Sequence, residues 1–205
     1  MINAVFFDFG GVILASPFEA FNRYEATNGL PADFIRRVNT AEPHSNAWAR
    51  LERSEIDSEA FDAAFADESE RLGHRVPGSD VLGLLSGQVR PEMVVALDRV
   101  IEAGYTTACL TNNVVGGSAR DDVVAIMAKF HHVVESSKVG VRKPEPAFYE
   151  LACRIAKVAP QECVFLDDLG VNLKPAAVMG MTTIKVTSAE QAINDLEAVL
   201  GITLH

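Results

Sequence analysis

The chain has 205 residues, of which 48% are hydrophobic and 22% are charged, a composition typical of a globular protein with a substantial core. Acidic residues outnumber basic ones by 28 to 18, the formal charge is −10, and lysines and arginines form no cluster. These features argue against nucleic acid as a partner.

Four short stretches rich in apolar and β-branched residues predict β-strands along the chain, and HHVVES (131–136) is a candidate fifth. Each stretch is nearly unbroken in its apolar character, which is typical of strands that are covered on both faces of a parallel sheet. In chain order, with the candidate included, they are AVFFD (4–8), TTACLT (106–111), HHVVES (131–136), ECVFLDD (162–168) and TTIKV (182–186).

Helical stretches separate the later strands, and this alternation favours a parallel sheet with right-handed crossovers. Gly104 and Gly201 stand where two of these helices are expected to stop. We therefore predict an α/β fold with a Rossmann-like parallel sheet. The predicted helices cover residues 91–104, 118–130, 146–158 and 188–201.

The stretch between the first two strands breaks this rhythm, because it contains only amphipathic helical patterns. Asp57, Ser58 and Glu59 are typical start signals for the fourth of them. The patterns cover residues 18–29, 31–39, 45–54, 58–73 and 79–87. We predict a core formed by residues 1–15 and 87–205 and a helical cap formed by residues 16–86.

Polar side chains collect where the predicted strands end. Asp8 closes the first strand, Thr111 the second and the pair Asp167-Asp168 the fourth. Lys143 precedes a helix that begins with proline. Since ligands of open parallel sheets bind outside the carboxyl ends of the strands, we expect these side chains to converge on one site.

The residue types at this edge indicate phosphoryl chemistry. Three carboxylates in one site repel each other unless a cation shares it, and Mg²⁺ takes carboxylates together with phosphate oxygens. Thr111 and Lys143 suit anionic oxygens, and the backbone amides of Phe9 and Gly10 lie in a turn that a phosphate can approach. The residues therefore predict metal-assisted transfer of a phosphoryl group from a small phosphorylated molecule to Asp8.

Four motifs resemble those of the haloacid dehalogenase (HAD) superfamily in order and spacing: FFDFGG, LTNN, VRKPEPAFY and FLDDLGVN. The segments containing the last two also resemble the N-terminal phosphatase domain of soluble epoxide hydrolase. The opening FFDFGGVILASP resembles the HAD-like domain fused to some acyl-CoA dehydrogenases. The resemblance covers essentially the whole chain and implies a helical cap that closes over the active site.

The resemblance also implies roles for individual residues. Asp8 would be the nucleophile. Asn172 stands where many members of the superfamily have another acid. The implied Mg²⁺ ligands are Asp8, the carbonyl of Gly10 and Asp168, with Asp167 supporting them from nearby. The groups implied to hold the phosphoryl group are Thr111, Lys143 and the backbone N–H of Asn112, in addition to the turn at Phe9 and Gly10.

Gly10 departs from the family pattern, because phosphatases of the superfamily usually carry an aspartate there as general acid and base. General acid–base catalysis contributes roughly 10²–10⁴-fold. Three outcomes stay open: substrates with a good leaving group such as a sugar 1-phosphate, replacement by water or a cap residue, or phosphate binding without useful turnover. The candidate replacements are His44, Glu52 and Glu55.

Three alternative functions follow from the same residues. A 2-haloacid dehalogenase would use the aspartate without a metal, and the intact Asp167-Asp168 pair weighs against it. A mutase would need the missing acid most. A phospholigand-binding protein without turnover would keep the binding groups and lose the proton-transfer group.

Several further residues have structural explanations that we weigh against functional ones. Trp48, Arg50 and Arg53 could line the substrate face of the cap, although each is also typical of ordinary helix packing. The adjacent His131-His132 point to opposite faces of a strand, which favours a structural role over a metal site. Gly116-Gly117 is interpreted as a loop.

Cysteine usage and hydropathy indicate the compartment. No apolar run reaches the length of a membrane span, and the apolar start contains Asp8 and lacks a basic leader, so we expect neither an anchor nor a signal peptide. The three cysteines have apolar neighbours and form no C-x-x-C pair. We predict reduced core thiols in a cytoplasmic monomer or homodimer: Cys109, Cys153 and Cys163.

Overall fold

A five-stranded parallel sheet forms the centre of the protein. The computed structural model describes residues 1–115 and 120–205. The spatial order of the strands is β3-β2-β1-β4-β5, and every neighbouring pair is parallel, so the predicted sheet is confirmed. The strands are β1 (Ala4–Phe7), β2 (Thr106–Thr111), β3 (His132–Glu135), β4 (Cys163–Asp167) and β5 (Thr182–Lys185).

The side chains of β1 alternate between the two faces of the sheet. Val5 and Phe7 belong to the hydrophobic cluster on one face, and Ala4 and Phe6 belong to the cluster on the other face. All four side chains are fully buried. Burial on both faces is the reason why this strand is apolar at every position.

Five helices follow β1 and match the helical patterns predicted for this segment. They surround a hydrophobic cluster of their own, in which the ring of Phe61 lies 4.8 Å from Trp48 and 5.5 Å from Phe65. The helices, which we call the cap helices, are α1 (Phe18–Thr27), α2 (Phe34–Thr40), α3 (Ala47–Glu52), α4 (Ser58–Arg71) and α5 (Gly78–Gly83). The domain boundaries at residues 16 and 86 stay a prediction.

Local signals explain how the cap helices begin and how they join the sheet. Asp57 accepts a hydrogen bond from Ala60 N–H at 2.8 Å, which caps α4 as predicted. The two segments that connect the cap helices to the sheet lie side by side, since Ala15 N–H donates to the Gln88 carbonyl at 2.7 Å. A Cβ atom at Gly87 would lie 2.3 Å from the Ala15 carbonyl oxygen, so this approach requires glycine.

The remaining helices cover both faces of the sheet, which confirms the α/β fold. Helices α6 (Pro91–Glu102), α7 (Asp121–Met127) and α11 (Ala189–Leu200) pack on one face, and α9 (Pro146–Ala156) and α10 (Gly170–Val178) on the other. The short helix α8 (Ser136–Val139) follows β3 directly.

Sequence signals account for most, but not all, of these helices. Gly104 and Gly201 adopt positive φ angles of 89° and 71° just after α6 and α11, as expected for helix stops. The helix predicted from residue 118 begins at Asp121, and residues 116–119, which include the loop interpreted at Gly116-Gly117, lie outside the described residues. Helix α10 was not predicted, because it contains Pro175 and has no polar face.

Among the described residues, no helix combines the length and the apolar character needed to cross a membrane. Cys109, Cys153 and Cys163 are all buried and free, as expected of core thiols. The cytoplasmic location and the monomeric or homodimeric state stay predictions.

Phe61→Ala tests the packing of the cap helices. Phe61 is fully buried, so its truncation leaves a cavity, and we expect the free energy of unfolding to fall by about 3–5 kcal/mol. Urea unfolding followed through the fluorescence of Trp48, the one tryptophan of the chain, measures this loss. The control Val178→Ala changes a side chain that is 88% exposed and should shift the free energy of unfolding by less than about 0.5 kcal/mol. Equal effects of the two variants would contradict this packing.

Candidate active site

The central strands bring three carboxylates together at the carboxyl edge of the sheet. Asp8 follows β1, Asp167 ends β4 and Asp168 comes next, and one oxygen of each lies within 4.8 Å of the others. Asp8 and Asp167 are buried and Asp168 is partly buried. The three carboxylates therefore lie together at one site, as predicted from the sequence.

Burial and mutual repulsion both oppose the charged form of these acids. Burial raises the pKa of Asp8 well above its ordinary value, and the neighbouring Asp167 and Asp168 raise it further. Burial likewise raises the pKa of Asp168, with Asp167 adding to the effect. A cation in this position removes both penalties, because it attracts the charged form of every carboxylate around it.

Lys143 supplies one positive charge inside the cluster. Its Nζ lies 2.7 Å from Asp8 Oδ1 and 2.8 Å from Asp167 Oδ2, and its side chain is 1% exposed. Burial disfavours the ammonium, but the attraction of Asp167 and Asp8 outweighs burial and raises the pKa of Lys143. One ammonium between three carboxylates leaves an excess of negative charge when all three are ionised.

Asp167 is held by several donors at once. Its Oδ1 accepts from Leu169 N–H at 2.7 Å and from Asn172 Nδ2 at 3.1 Å, while Oδ2 accepts from Lys143 and also lies 3.0 Å from Asn172 Nδ2. Both oxygens are thus engaged by protein groups, which suits the predicted supporting role of Asp167. Asn172 reaches the cluster as an amide donor, a contact that the sequence did not reveal.

The loop after β2 fixes the position of Lys143. Thr111 is buried at the end of β2, where it pairs in register with Glu135 of β3. The side chain of Asn112 accepts from Lys143 N–H and donates to the Lys143 carbonyl, both at 2.9 Å. The sequence assigned a role to the backbone N–H of Asn112, which stays a prediction, and missed this role of its side chain.

The turn after β1 places backbone close to the carboxylates. Phe9 N–H donates to Asp8 Oδ1 at 2.6 Å, so its predicted contact with phosphate stays a prediction. Gly11 has a φ of 80°, and a Cβ atom there would lie 2.2 Å from the Asp168 carboxyl group. Arg90 donates to the Gly11 carbonyl at 2.8 Å and secures the turn. Gly10 is exposed, and a Cβ atom on it would meet no atom within 4 Å.

The cap residues considered as replacement acids lie in different surroundings. Glu52 Oε2 accepts from Asn112 Nδ2 at 3.0 Å and forms an ion pair with Arg142. Glu55 pairs with Arg53 at 2.6 Å and its side chain is 48% exposed. His44 accepts a hydrogen bond from Arg53 through its backbone carbonyl. Of the three, Glu52 is the one that contacts the loop holding Lys143.

The other residues singled out in the sequence lie in different surroundings. Trp48 is buried in the cap cluster, and Arg50 is exposed. Arg53 forms an ion pair with Glu145 at 3.1 Å. His131 Nδ1 accepts from Thr107 N–H at 3.0 Å, which ties the start of β3 to β2.

Comparison with known proteins supports the assignment of the fold and the motifs. The sequence pattern of the haloacid dehalogenase-like hydrolases matches residues 2–180. The mouse acyl-CoA dehydrogenase family member 10 is 38% identical over 208 residues, which are 99% of this chain and 20% of that protein. The mouse bifunctional epoxide hydrolase 2 is 33% identical over 211 residues, which are 95% of this chain and 38% of that protein. The chain thus spans about a fifth and about two fifths of these two relatives.

A solved structure shares the fold. The crystal structure of a HAD family enzyme from Bacteroides thetaiotaomicron, in complex with magnesium and inorganic phosphate, superposes with a TM-score of 0.61 at 19% sequence identity. The match covers 90% of this chain and 94% of that one. The sequence pattern, the relatives and the fold agree, and the chain belongs to the haloacid dehalogenase-like hydrolase family.

Proposed function

We propose that this hydrolase is a Mg²⁺-dependent phosphatase that hydrolyses a small organic phosphomonoester through an aspartyl-phosphate on Asp8. The observation that carries the proposal is the cluster of Asp8, Asp167 and Asp168, in which one carboxylate oxygen of each lies within 4.8 Å of the others. The buried ammonium of Lys143 forms ion pairs with Asp8 and Asp167 in this cluster. A dehalogenase needs no divalent cation, so three clustered carboxylates favour the phosphatase.

The donor set fits a hard divalent cation. Asp8 and Asp168 would hold Mg²⁺ together with the carbonyl of Gly10, while Asp167 is already occupied by Lys143 and Asn172. The excess negative charge of the cluster is the physical reason to expect such an ion. When bound, it would neutralise negative charge on the carboxylates and on the phosphoryl oxygens.

The residues of the chain would then act in two steps. A carboxylate oxygen of Asp8 attacks phosphorus, and the bond from phosphorus to the ester oxygen breaks, so the alcohol leaves with its electron pair. Water next cleaves the acyl phosphate, which restores the Asp8 carboxylate and releases inorganic phosphate. Lys143 favours the ionised form of Asp8, although burial opposes it, and Lys143 and Thr111 hold the phosphoryl oxygens.

Gly10 limits how the leaving alcohol can obtain its proton. It has no side chain to donate one, and Glu52, the cap acid that contacts the Lys143 loop, is engaged by Arg142 and Asn112. Substrates with a good leaving group fit this arrangement. The same observation favours a second candidate, a protein that binds a phosphorylated ligand without turning it over.

Asp8→Asn tests the phosphatase directly. With Mg²⁺ present, we expect the wild-type chain to release phosphate from p-nitrophenyl phosphate, and EDTA to abolish the release. Loss of the nucleophile should lower kcat by roughly a thousandfold or more. Binding of inorganic phosphate without any release would favour the binding protein, and metal-independent release of chloride from a 2-chloro acid would favour the dehalogenase.

Gly11→Ala tests the position of Asp168 as a metal ligand. The added methyl group would collide with the Asp168 carboxylate in a backbone conformation that disfavours alanine. We expect the affinity for Mg²⁺, measured by calorimetry, to fall about 10–100-fold. Gly83→Ala is the control, since its Cβ atom meets nothing within 4 Å and its φ is not positive. Unchanged Mg²⁺ affinity in Gly11→Ala would argue against Asp168 as a ligand.

Gly10→Asp tests whether the missing acid limits turnover. The open space around Gly10 admits the side chain. We expect hydrolysis of alkyl phosphates, whose alkoxides are poor leaving groups, to accelerate by up to about 10²–10⁴-fold, with a much smaller gain for p-nitrophenyl phosphate. Steady-state rates for the two substrate types measure the difference. An identical change for both would indicate that another group or water already supplies the proton.

A further inference from the structure

The end of cap helix α3 contacts the core through a largely buried ion pair. Glu52 pairs with Arg142 Nε, and their side chains are only 14% and 13% exposed. Arg142 also donates through Nη1 to the Pro43 carbonyl at 3.1 Å, so one core guanidinium holds two points of the cap. Breaking such a pair on one side leaves an uncompensated buried charge.

The residues next to Glu52 strengthen the same contact. Arg53 reaches Glu145 at 3.1 Å, and Ser54 Oγ donates to the Ser137 carbonyl at 2.8 Å. Three consecutive cap residues therefore bind core segments that lie on both sides of Lys143. The position of the cap helices therefore affects the position of the segment that contains Lys143.

Hydrogen bonds lead from Glu52 to the backbone of Lys143, whose side chain reaches the carboxylate cluster. Glu52 Oε2 accepts from Asn112 Nδ2 at 3.0 Å, and the Asn112 side chain makes two hydrogen bonds to the Lys143 backbone at 2.9 Å. The Lys143 ammonium then lies 2.7 Å from Asp8. Asn112 Nδ2 is shared between Glu52 and the Lys143 carbonyl, so moving Glu52 changes the group that orients Lys143.

We propose that Glu52 is a positioning residue, which makes the placement of the Lys143 ammonium against Asp8 depend on the docking of the cap helices. The inference rests on the proposed function and deepens it. Its carboxylate orients the Asn112 amide and neutralises Arg142 beside Lys143 when the cap is docked. With the cap away, Arg142 has lost its carboxylate and Asn112 one of its acceptors. The contacts that orient Lys143 are then complete only while the cap is docked.

The test compares Glu52→Gln and Glu52→Asp with the matched control Glu68→Gln. Glu68 is a partly buried acid of cap helix α4 that accepts from Ala47 N–H at 2.8 Å. Ala47 begins helix α3, and Glu52 ends it. Two quantities are measured: kcat and KM for Mg²⁺-dependent hydrolysis of p-nitrophenyl phosphate, and the hydrogen-exchange rate of the Lys143 amide, which donates to Asn112. Thermal unfolding verifies that each variant is folded.

We expect Glu52→Gln to lower kcat about 10–100-fold, the range observed when a group that orients a functional residue is removed. KM should change less than about threefold, because the loss concerns the transition state more than binding. The Lys143 amide should exchange at least about tenfold faster, Glu52→Asp should restore part of kcat, and Glu68→Gln should stay within about twofold of the wild type.

Three results would separate the possibilities. A folded Glu52→Gln variant with wild-type kcat and wild-type exchange at Lys143 would overturn the inference. Equal losses in Glu68→Gln would also overturn it, because they would reduce Glu52 to a general support of α3. Failure of the wild-type chain to hydrolyse any phosphate ester would refute the proposed function, and the exchange rate of Lys143 would still decide the role of Glu52.

Discussion

The buried ammonium of Lys143, set between Asp8 and Asp167, is the interaction on which the site depends. Without it, two buried carboxylates would face each other with no compensating charge, a costly arrangement inside a protein. With it, Asp8 has a positive charge beside it that favours its ionised form at the end of a strand that is otherwise wholly apolar. Asp168 brings a third negative charge that the ammonium does not balance, and this excess of negative charge favours the binding of a divalent cation.

The parallel sheet provides the geometry for this charge cluster. Strand β1 lies between β2 and β4, so the residues that follow it meet the ends of both neighbours. Burial of β1 and β4 on both faces fixes their register firmly, because a shift by one residue would exchange the two hydrophobic clusters. Gly11 then allows the backbone to approach Asp168 more closely than any side chain would permit. Apolar packing therefore determines where the polar chemistry takes place.

The cap helices contact the core around Lys143 through polar groups. Glu52, Arg53 and Ser54 bind core groups around Lys143. Such contacts exchange with water more readily than buried apolar surface does.

The sequence by itself determined the layered fold, the identity of the cluster and the helical nature of the segment after β1. Those features depend on local patterns, namely two-sided apolar strands, helical periodicity, and polar residues at strand ends. Helix α10 escaped prediction because it is buried on one side without a polar face on the other and contains Pro175. Only the tertiary structure decided that Asn112 accepts from and donates to the Lys143 backbone, and that Asn172 donates to Asp167. The same holds for the pairing of Glu52 with Arg142 across 90 positions of sequence. These contacts join residues distant in the chain, and their geometry arises only when the strands and cap helices have packed.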